Sequence, residues 1–247
     1  MITFITGGGR GIGLATAEYL VEQGHKVSLF DLVGAEDAAE KIGLDSAIGV
    51  TGDVNNAADI DRAIELTIEK FGTIDCVVTS AGIVKVAPAL ELDVDDFNFV
   101  LATNVTGSFL AAQRAARVMV KNGGGSVVFI GSTFGSVGAP QRTAYCASKG
   151  AVHLMTQSLA TEWAHLGIRV NSVAPTGTKT QMIQDLIDRG IYKLKAAEAR
   201  TPMGRLAESN EVAAAVAFLA SPAASMITGV ILPVDGGWLA NGYLVEY

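Results

Sequence analysis

Tyr145 and Lys149 stand four residues apart in the stretch TAYCASKG (143–150). On a helix that spacing puts a phenol and an ammonium on one face. A free phenol, with a pKa of ~10, is a poor acid or base at neutral pH. A neighbouring ammonium favours the phenolate and lowers that pKa towards the working range. Ser132 lies 13 residues before Tyr145, and its hydroxyl can hydrogen-bond a substrate oxygen on which charge develops. Asn104 falls inside a long helical pattern, a poor place for an asparagine unless something needs its amide. The eight residues of TAYCASKG alone also fit two polar side chains on the outside of a helix.

A second group lies near the N-terminus. TGGGRGIG (6–13) spaces Gly7, Gly11 and Gly13 as G-x-x-x-G-x-G, with Arg10 and Ile12 in the same turn. A glycine-rich turn opening a helix brings bare backbone amides against a pyrophosphate at the positive helix end. Taken alone, it also fits a turn needed only for close helix–strand packing. Asp31 follows Gly13 by 18 residues. At the end of a second strand its carboxylate can accept both adenosine ribose hydroxyls and repel a 2′-phosphate. Taken alone, Asp31 also fits an N-cap or a loop carboxylate. The Arg10 guanidinium could instead hold a 2′-phosphate. Asp31 weighs more, which favours NAD over NADP. Asp53 and the neighbouring amide of Val54 could meet the adenine edge, and Ser80-Ala81-Gly82 leaves room for a nucleotide to cross.

These residues need elements to carry them. Short β-branched runs alternate with longer helical patterns: strands at 2–6, 26–31, within 47–53, 74–80, 126–132, 168–175 and 230–235. Helices are expected from Gly11, around 56–70, as one long piece over 95–120, across 143–165, near 181–198 and at 210–219. That alternation means right-handed crossovers and a doubly wound α/β fold, a parallel sheet with helices on both faces. Ligands then sit beyond the carboxyl ends of the strands, where Gly7, Asp31, Asp53, Ser80 and Ser132 fall.

The composition agrees. A chain of 247 residues, 49% hydrophobic, can bury a sizeable core, and without a linker-like stretch a single domain spanning 1–247 is expected. A net charge of −7 argues against a nucleic-acid partner. Apolar runs such as AVAFLA are far short of the ~20 residues that span a bilayer, and no signal peptide opens the chain. Two cysteines, Cys76 and Cys146, fit a reducing compartment, so a cytoplasmic location is expected. His25, His153 and His165 lack ligand spacing, and no metal is expected.

Taken in order, TGGGRGIG, Asp31, Asp53, SAG, Asn104, Ser132, Tyr145-x-x-x-Lys149, Pro175 and the closing ITGVILPVDGG resemble the compact short-chain dehydrogenase/reductase family over essentially the whole chain. The resemblance implies a Rossmann-like, seven-stranded sheet and NAD(P)-linked oxidation of alcohols or reduction of ketones, usually in homotetramers. It assigns Asn104, Ser132, Tyr145 and Lys149 as the catalytic set. In that set Lys149 also holds the nicotinamide ribose, and Asn104 fixes Lys149 through a water. It further implies that the backbone near Thr178 receives the nicotinamide carboxamide and that Thr180 contacts the cofactor. Three positions depart from the family: Ser80 replaces the asparagine of Asn-Ala-Gly, Pro175-Thr176 replaces Pro-Gly with Gly177 one later, and Thr178 replaces Ile or Val.

The charged run RGIYKLKAAEAR (189–200) reads as the solvated face of a mobile helix, in a substrate lid at roughly 177–205. Lys85, Arg142 and Lys179 border the expected pocket, so one or two are candidates to pair with an anionic substrate group such as a carboxylate or sulfonate. The tail GGWLANGYLVEY (236–247) is a candidate subunit-interface segment. These observations point to an NAD-preferring oxidoreductase acting on a small secondary alcohol or ketone, with Tyr145 as acid/base. The rival of another class is a catalytically silent dinucleotide-binding redox sensor or scaffold, which would have no use for the complete Tyr145–Lys149 set. Epimerase or dehydratase chemistry would want a larger C-terminal domain than the roughly 70 residues after Pro175.

Overall fold

Seven short runs of β-branched and apolar residues make the strands, and those in the middle of the sheet are buried on both faces, as strands sandwiched between helix layers must be. In the computed structural model, which describes residues 1–242, they form β1 (Ile2–Thr6), β2 (Lys26–Asp31), β3 (Ala47–Thr51), β4 (Cys76–Thr79), β5 (Gly125–Ile130), β6 (Ile168–Pro175) and β7 (Ile231–Val234). The sheet order is β3-β2-β1-β4-β5-β6-β7, and every pairing is parallel. The order reverses between β1 and β4. At that switch point neighbouring crossovers leave on opposite faces and open a crevice at the carboxyl edge.

The helices are α1 (Gly11–Glu22), α2 (Ala35–Ile42), α3 (Ala57–Phe71), α4 (Val94–Leu101), α5 (Ser108–Lys121), α6 (Thr143–Trp163), α7 (Gln181–Asp188), α8 (Leu194–Arg200) and α9 (Ser209–Ala220). One face of the sheet packs on α3, α5 and α6 through Ile60, Ala112, Met119, Val152 and Trp163. The other packs on α1, α2 and α9 through Leu20, Ala39, Val212 and Val216. Alanines on the buried faces of α2, α5 and α9 let backbones approach the sheet closely. This is the doubly wound, single-domain α/β architecture expected from the alternation.

Three expectations need correction. The expected helix over 95–120 is α4, a π-helical stretch at Ala102–Gly107, and α5. Gly107 explains the tight fit there, since a β-carbon on it would lie 2.8 Å from Val54 Cγ2. The expected helix near 181–198 breaks into α7 and α8 around Gly190, whose φ is +68°. Helix α2 was not anticipated, although Ala35, Ala38, Ala39 and Ile42 fall at i, i+3, i+4 and i+7; over only eight residues that stripe is easily passed over. The tail expected at an interface is described only to Gly242, and 243–247 lie outside the described residues. Among the described residues no helix is long and apolar enough to cross a membrane.

Candidate active site

The glycine loop leaves β1 with Gly7 at φ +67° and re-enters a helix with Gly11 at φ +58°, left-handed values that favour glycine. A β-carbon on Gly7 would stand 2.6 Å from the Ala81 amide nitrogen, so the first strand and the Ser80-Ala81-Gly82 segment meet backbone to backbone. No side chain caps α1, whose N-cap is Arg10, and its first turn holds no acid. The uncapped amides beside Gly11, Ile12 and Gly13 suit a pyrophosphate. Thr180 caps α7 and lies close by, its methyl 3.5 Å from where a Gly11 β-carbon would be.

Asp31, at the end of β2, accepts from the Gly9 amide at 3.0 Å, which ties its carboxylate to the glycine loop. Asp53 commits Oδ1 to the backbone and side chain of Asn55 at 2.8 and 2.9 Å. Its own amide donates to Asp59 at 3.1 Å. Pro175 ends β6, and buried Thr178 bridges to Ala207 in a short parallel contact. The donors, the glycine cradle and the ribose-side carboxylate fit a dinucleotide laid along the carboxyl edge.

Across the edge lies the second group. Helix α6 packs through Val152, Leu159, Ala160 and Trp163, which turns Lys149 inward to 6% exposure. Its ammonium donates to the Ile130 carbonyl at 2.7 Å and lies 5.7 Å from the Tyr145 ring centroid. Burial lowers the Lys149 pKa to about 8. Ser132 caps a short 3₁₀ turn at Thr133–Gly135, and its hydroxyl accepts from the Phe134 amide at 3.2 Å. The Tyr145 pKa is raised, chiefly because its hydroxyl is desolvated. A hydrogen bond with Ser132 and the charge of Arg142 pull it back down, and Cys146 pushes it up. The expected lowering by Lys149 is not found, because that ammonium is turned to the Ile130 carbonyl rather than to the phenol.

Asn104 is fully buried in the π-helical stretch. Its Oδ1 accepts from the Ile83 amide at 2.8 Å, and its Nδ2 donates to the Ile83 carbonyl at 3.0 Å and to Ser148 Oγ at 2.9 Å. The amide therefore braces the segment after β4 against α6. Of the three candidate cations, Lys85 pairs with Asp96 at 2.8 Å and Lys179 with Glu208 at 2.5 Å, both pairs largely exposed. The guanidinium of Arg142, at the N-terminus of α6, donates to the Pro140 carbonyl at 3.3 Å.

Two residues were not assigned to the site from the sequence: His153, set aside for lack of ligand spacing, and Tyr192, within the charged run 189–200. His153, one turn beyond Lys149, is buried with Nε2 unpartnered, and burial together with the Lys149 charge lowers its pKa. Tyr192, in the break between α7 and α8, places its hydroxyl against Gly177. The i, i+4 spacing from Lys149 was a signal for the first. For the second there was none, because the contact spans a loop of unpredictable path.

The fold and this arrangement are those of a nicotinamide-dinucleotide oxidoreductase built on one doubly wound sheet. A family model described as enoyl-(acyl carrier protein) reductase matches residues 7–239. A galactitol 2-dehydrogenase (L-tagatose-forming) from Cereibacter sphaeroides is 41% identical over 95% of this chain and 93% of its own. A 3-ketoacyl-(acyl-carrier-protein) reductase from Brucella melitensis, solved with NADH, superposes with a TM-score of 0.90 at 34% identity, covering 96% of this chain and 98% of its own. ElxO, solved with NADP, superposes with a TM-score of 0.90 at 30% identity, covering 97% and 99%. The chain belongs to the short-chain dehydrogenase/reductase family.

The desolvated ammonium has a testable signature. An unfolded lysine keeps its proton to about pH 10.4, whereas folded Lys149 loses it near 8. Between those values the unfolded chain binds more protons, so stability rises with pH. Chemical denaturation at pH 7.5 to 10 should show a stability gain in the wild type that is missing in Lys149→Met. Parallel curves for the two would refute the buried-charge account.

Proposed function

We propose that the protein is an NAD-preferring dehydrogenase/reductase of small secondary alcohols and ketones, with Tyr145 as the general acid/base. The observation that carries the reading is the joint placement of the Ser132 hydroxyl, the Tyr145 phenol and the Lys149 ammonium at the carboxyl edge beside the glycine cradle. The dinucleotide, when bound, supplies the acceptor or donor of hydride. Ser132 holds the substrate oxygen through a hydrogen bond that strengthens as negative charge develops there. Tyr145 delivers a proton to that oxygen in reduction and removes it in oxidation. Its raised pKa leaves the phenol protonated at neutral pH before the cofactor and substrate bind, so oxidation should accelerate as the solution becomes alkaline.

Lys149, whose ammonium lies 5.7 Å from the Tyr145 ring centroid, would hold the nicotinamide ribose. Asn104 positions α6 by holding Ser148. Gly7, Arg10, Gly11, Ile12 and Gly13 would carry the pyrophosphate, Asp31 the adenosine ribose and Asp53 with Val54 the adenine edge. Ser80-Ala81-Gly82, Pro175, Thr178 and Thr180 line the rest of the cofactor path. The similarity to a galactitol 2-dehydrogenase supports a polyol-type secondary alcohol. A homotetramer and a lid at 177–205 belong to the same reading.

One observation favours an anionic variant of this substrate. Arg142 has no carboxylate partner among the described residues, while Lys85 and Lys179 are each paired. The reading assigns Arg142 to an anionic substituent and leaves Lys85 and Lys179 out.

Tyr145→Phe should lower kcat by about 10²- to 10⁴-fold, as expected for loss of a positioned acid/base, with dinucleotide affinity retained. A screen of alcohols, hydroxy acids and sugar alcohols followed at the nicotinamide absorbance checks it, and absence of turnover with any of them would favour a redox sensor. Asp31→Ala should shift the kcat/KM ratio towards NADP by at least about tenfold, since its carboxylate would repel a 2′-phosphate. A wild type that already prefers NADP would sink that assignment. Arg142→Ala should erase any preference for anionic over matched neutral alcohols. An unchanged preference removes Arg142 from the site.

A further inference from the structure

The chain leaves β7 through a turn built by one buried carboxylate. Asp235 accepts from the Gly237 amide at 2.9 Å and the Leu239 amide at 2.8 Å. The Trp238 amide donates to the Asp235 carbonyl at 3.1 Å. The turn is pressed against the segment that follows α8. A β-carbon on Gly236 would lie 2.9 Å from Thr201 Cγ2, and the Met203 amide donates to the Gly236 carbonyl at 3.2 Å. A carboxylate that binds two backbone donors fixes such a turn, and with it the root of the Trp238 side chain.

The indole is then held on two sides. Arg200 ends α8, and its guanidinium carbon lies 4.2 Å from the Trp238 ring centroid. Arg200 forms no ion pair among the described residues, so the ring face is the partner of its charge. Asn241 Nδ2 donates to the Arg200 carbonyl at 3.1 Å, so the tail grips both the side chain and the backbone of this residue. On its other side the indole meets Phe134, with ring centroids 5.7 Å apart and planes at 88°, the favoured edge-to-face geometry.

Phe134 is the residue whose backbone amide donates to Ser132 Oγ at 3.2 Å. It sits in the short 3₁₀ turn Thr133–Gly135, closed by the Gly135 amide on the Ser132 carbonyl at 2.9 Å. In so short a turn a ring and its own amide do not move independently. The amide takes one acceptor position of the hydroxyl and leaves the Ser132 proton for the reacting oxygen. Contacts therefore run without a break from Arg200 through Trp238 and Phe134 to Ser132.

We propose that Trp238 is a positioning residue for the reaction: held by Arg200, its indole fixes Phe134 and so the hydroxyl of Ser132. The tail as far as Gly242 thereby serves the site of its own chain. The kinetic consequence rests on the dehydrogenase reading above, and the structural one on the contacts alone. The role needs no contact between Trp238 and the substrate.

Hydrogen exchange read by mass spectrometry tests the coupling without a substrate. In Trp238→Ala the amides of 132–136 should exchange at least about threefold faster than in the wild type, the lower end of what one aromatic pair is worth. With an alcohol that the wild type oxidises, kcat should fall about three- to tenfold while the NADH dissociation constant stays the same. Trp238→Phe keeps a ring edge for Phe134 and should recover most of both losses. In a Ser132→Ala background Trp238→Ala should bring no further loss, because no hydroxyl is left to position. Should Trp238→Ala not fold, Trp238→Leu takes its place in each comparison. Unchanged exchange at 132–136, or an equal loss of kcat in both backgrounds, overturns the proposal. A wild type that turns over no alcohol sinks the dehydrogenase reading instead, and the exchange measurement still decides Trp238.

Discussion

An ammonium group almost cut off from water, with a backbone carbonyl for company, is the constraint on which the candidate site depends. A buried charge without a counter-ion is costly, and the group responds by shedding its proton more readily. Lys149 shows this in a pKa near 8. What keeps it in place is the apolar packing of its helix: Val152, Leu159, Ala160 and Trp163 dock α6 on the sheet and leave residue 149 no outward direction. The Ile130 carbonyl, at the edge where parallel strands end, then becomes its hydrogen-bond acceptor. Tyr145, one turn earlier, is carried to the same edge by the same packing.

The rest of the edge is drawn together by close backbone approaches. Gly7 meets the Ala81 amide, Gly107 meets Val54, and a β-carbon on Gly82 would lie 3.3 Å from Asn104 Oδ1. Asn104 is the polar centre of this arrangement, with three hydrogen bonds that join the segment after β4 to α6. The π-helical stretch supplies its geometry. A wider helical turn redirects one residue without ending the helix, which is why such turns gather at functional sites. With its amide spent on Ile83 and Ser148, Asn104 contributes through position.

Much of this was legible in the residues. Strand ends and the loops after them could be found from β-branched runs and glycine punctuation, which are local signals. The i, i+4 spacing of Tyr145 and Lys149 needed only a helix to become a shared face. What could not be read was anything set by long-range contact. The π-helical stretch keeps helical periodicity on both sides and leaves no mark in the pattern. The ion pairs of Lys85 and Lys179 join residues far apart or in different elements. The rise of the Tyr145 pKa comes chiefly from desolvation of its hydroxyl, which spacing does not encode. Tyr192 sat inside a charged run whose polar average hid one inward side chain.

The shift from Pro-Gly to Pro175-Thr176-Gly177 has a steric account that links these levels. The Thr176 amide donates to the Val234 carbonyl at 3.3 Å, so the pairing of β6 with β7 runs one residue past Pro175. The turn away from the sheet moves one residue later with it, to Gly177. There the Tyr192 hydroxyl and Leu206 leave no room for a β-carbon, so the glycine must move as well. Thr178 follows as a buried residue bridged to Ala207, its hydroxyl donating to the Thr176 carbonyl at 3.1 Å. The strand end, the glycine and the Thr178–Ala207 bridge are thus set together, and the Tyr192 hydroxyl fills the space that a β-carbon on Gly177 would need.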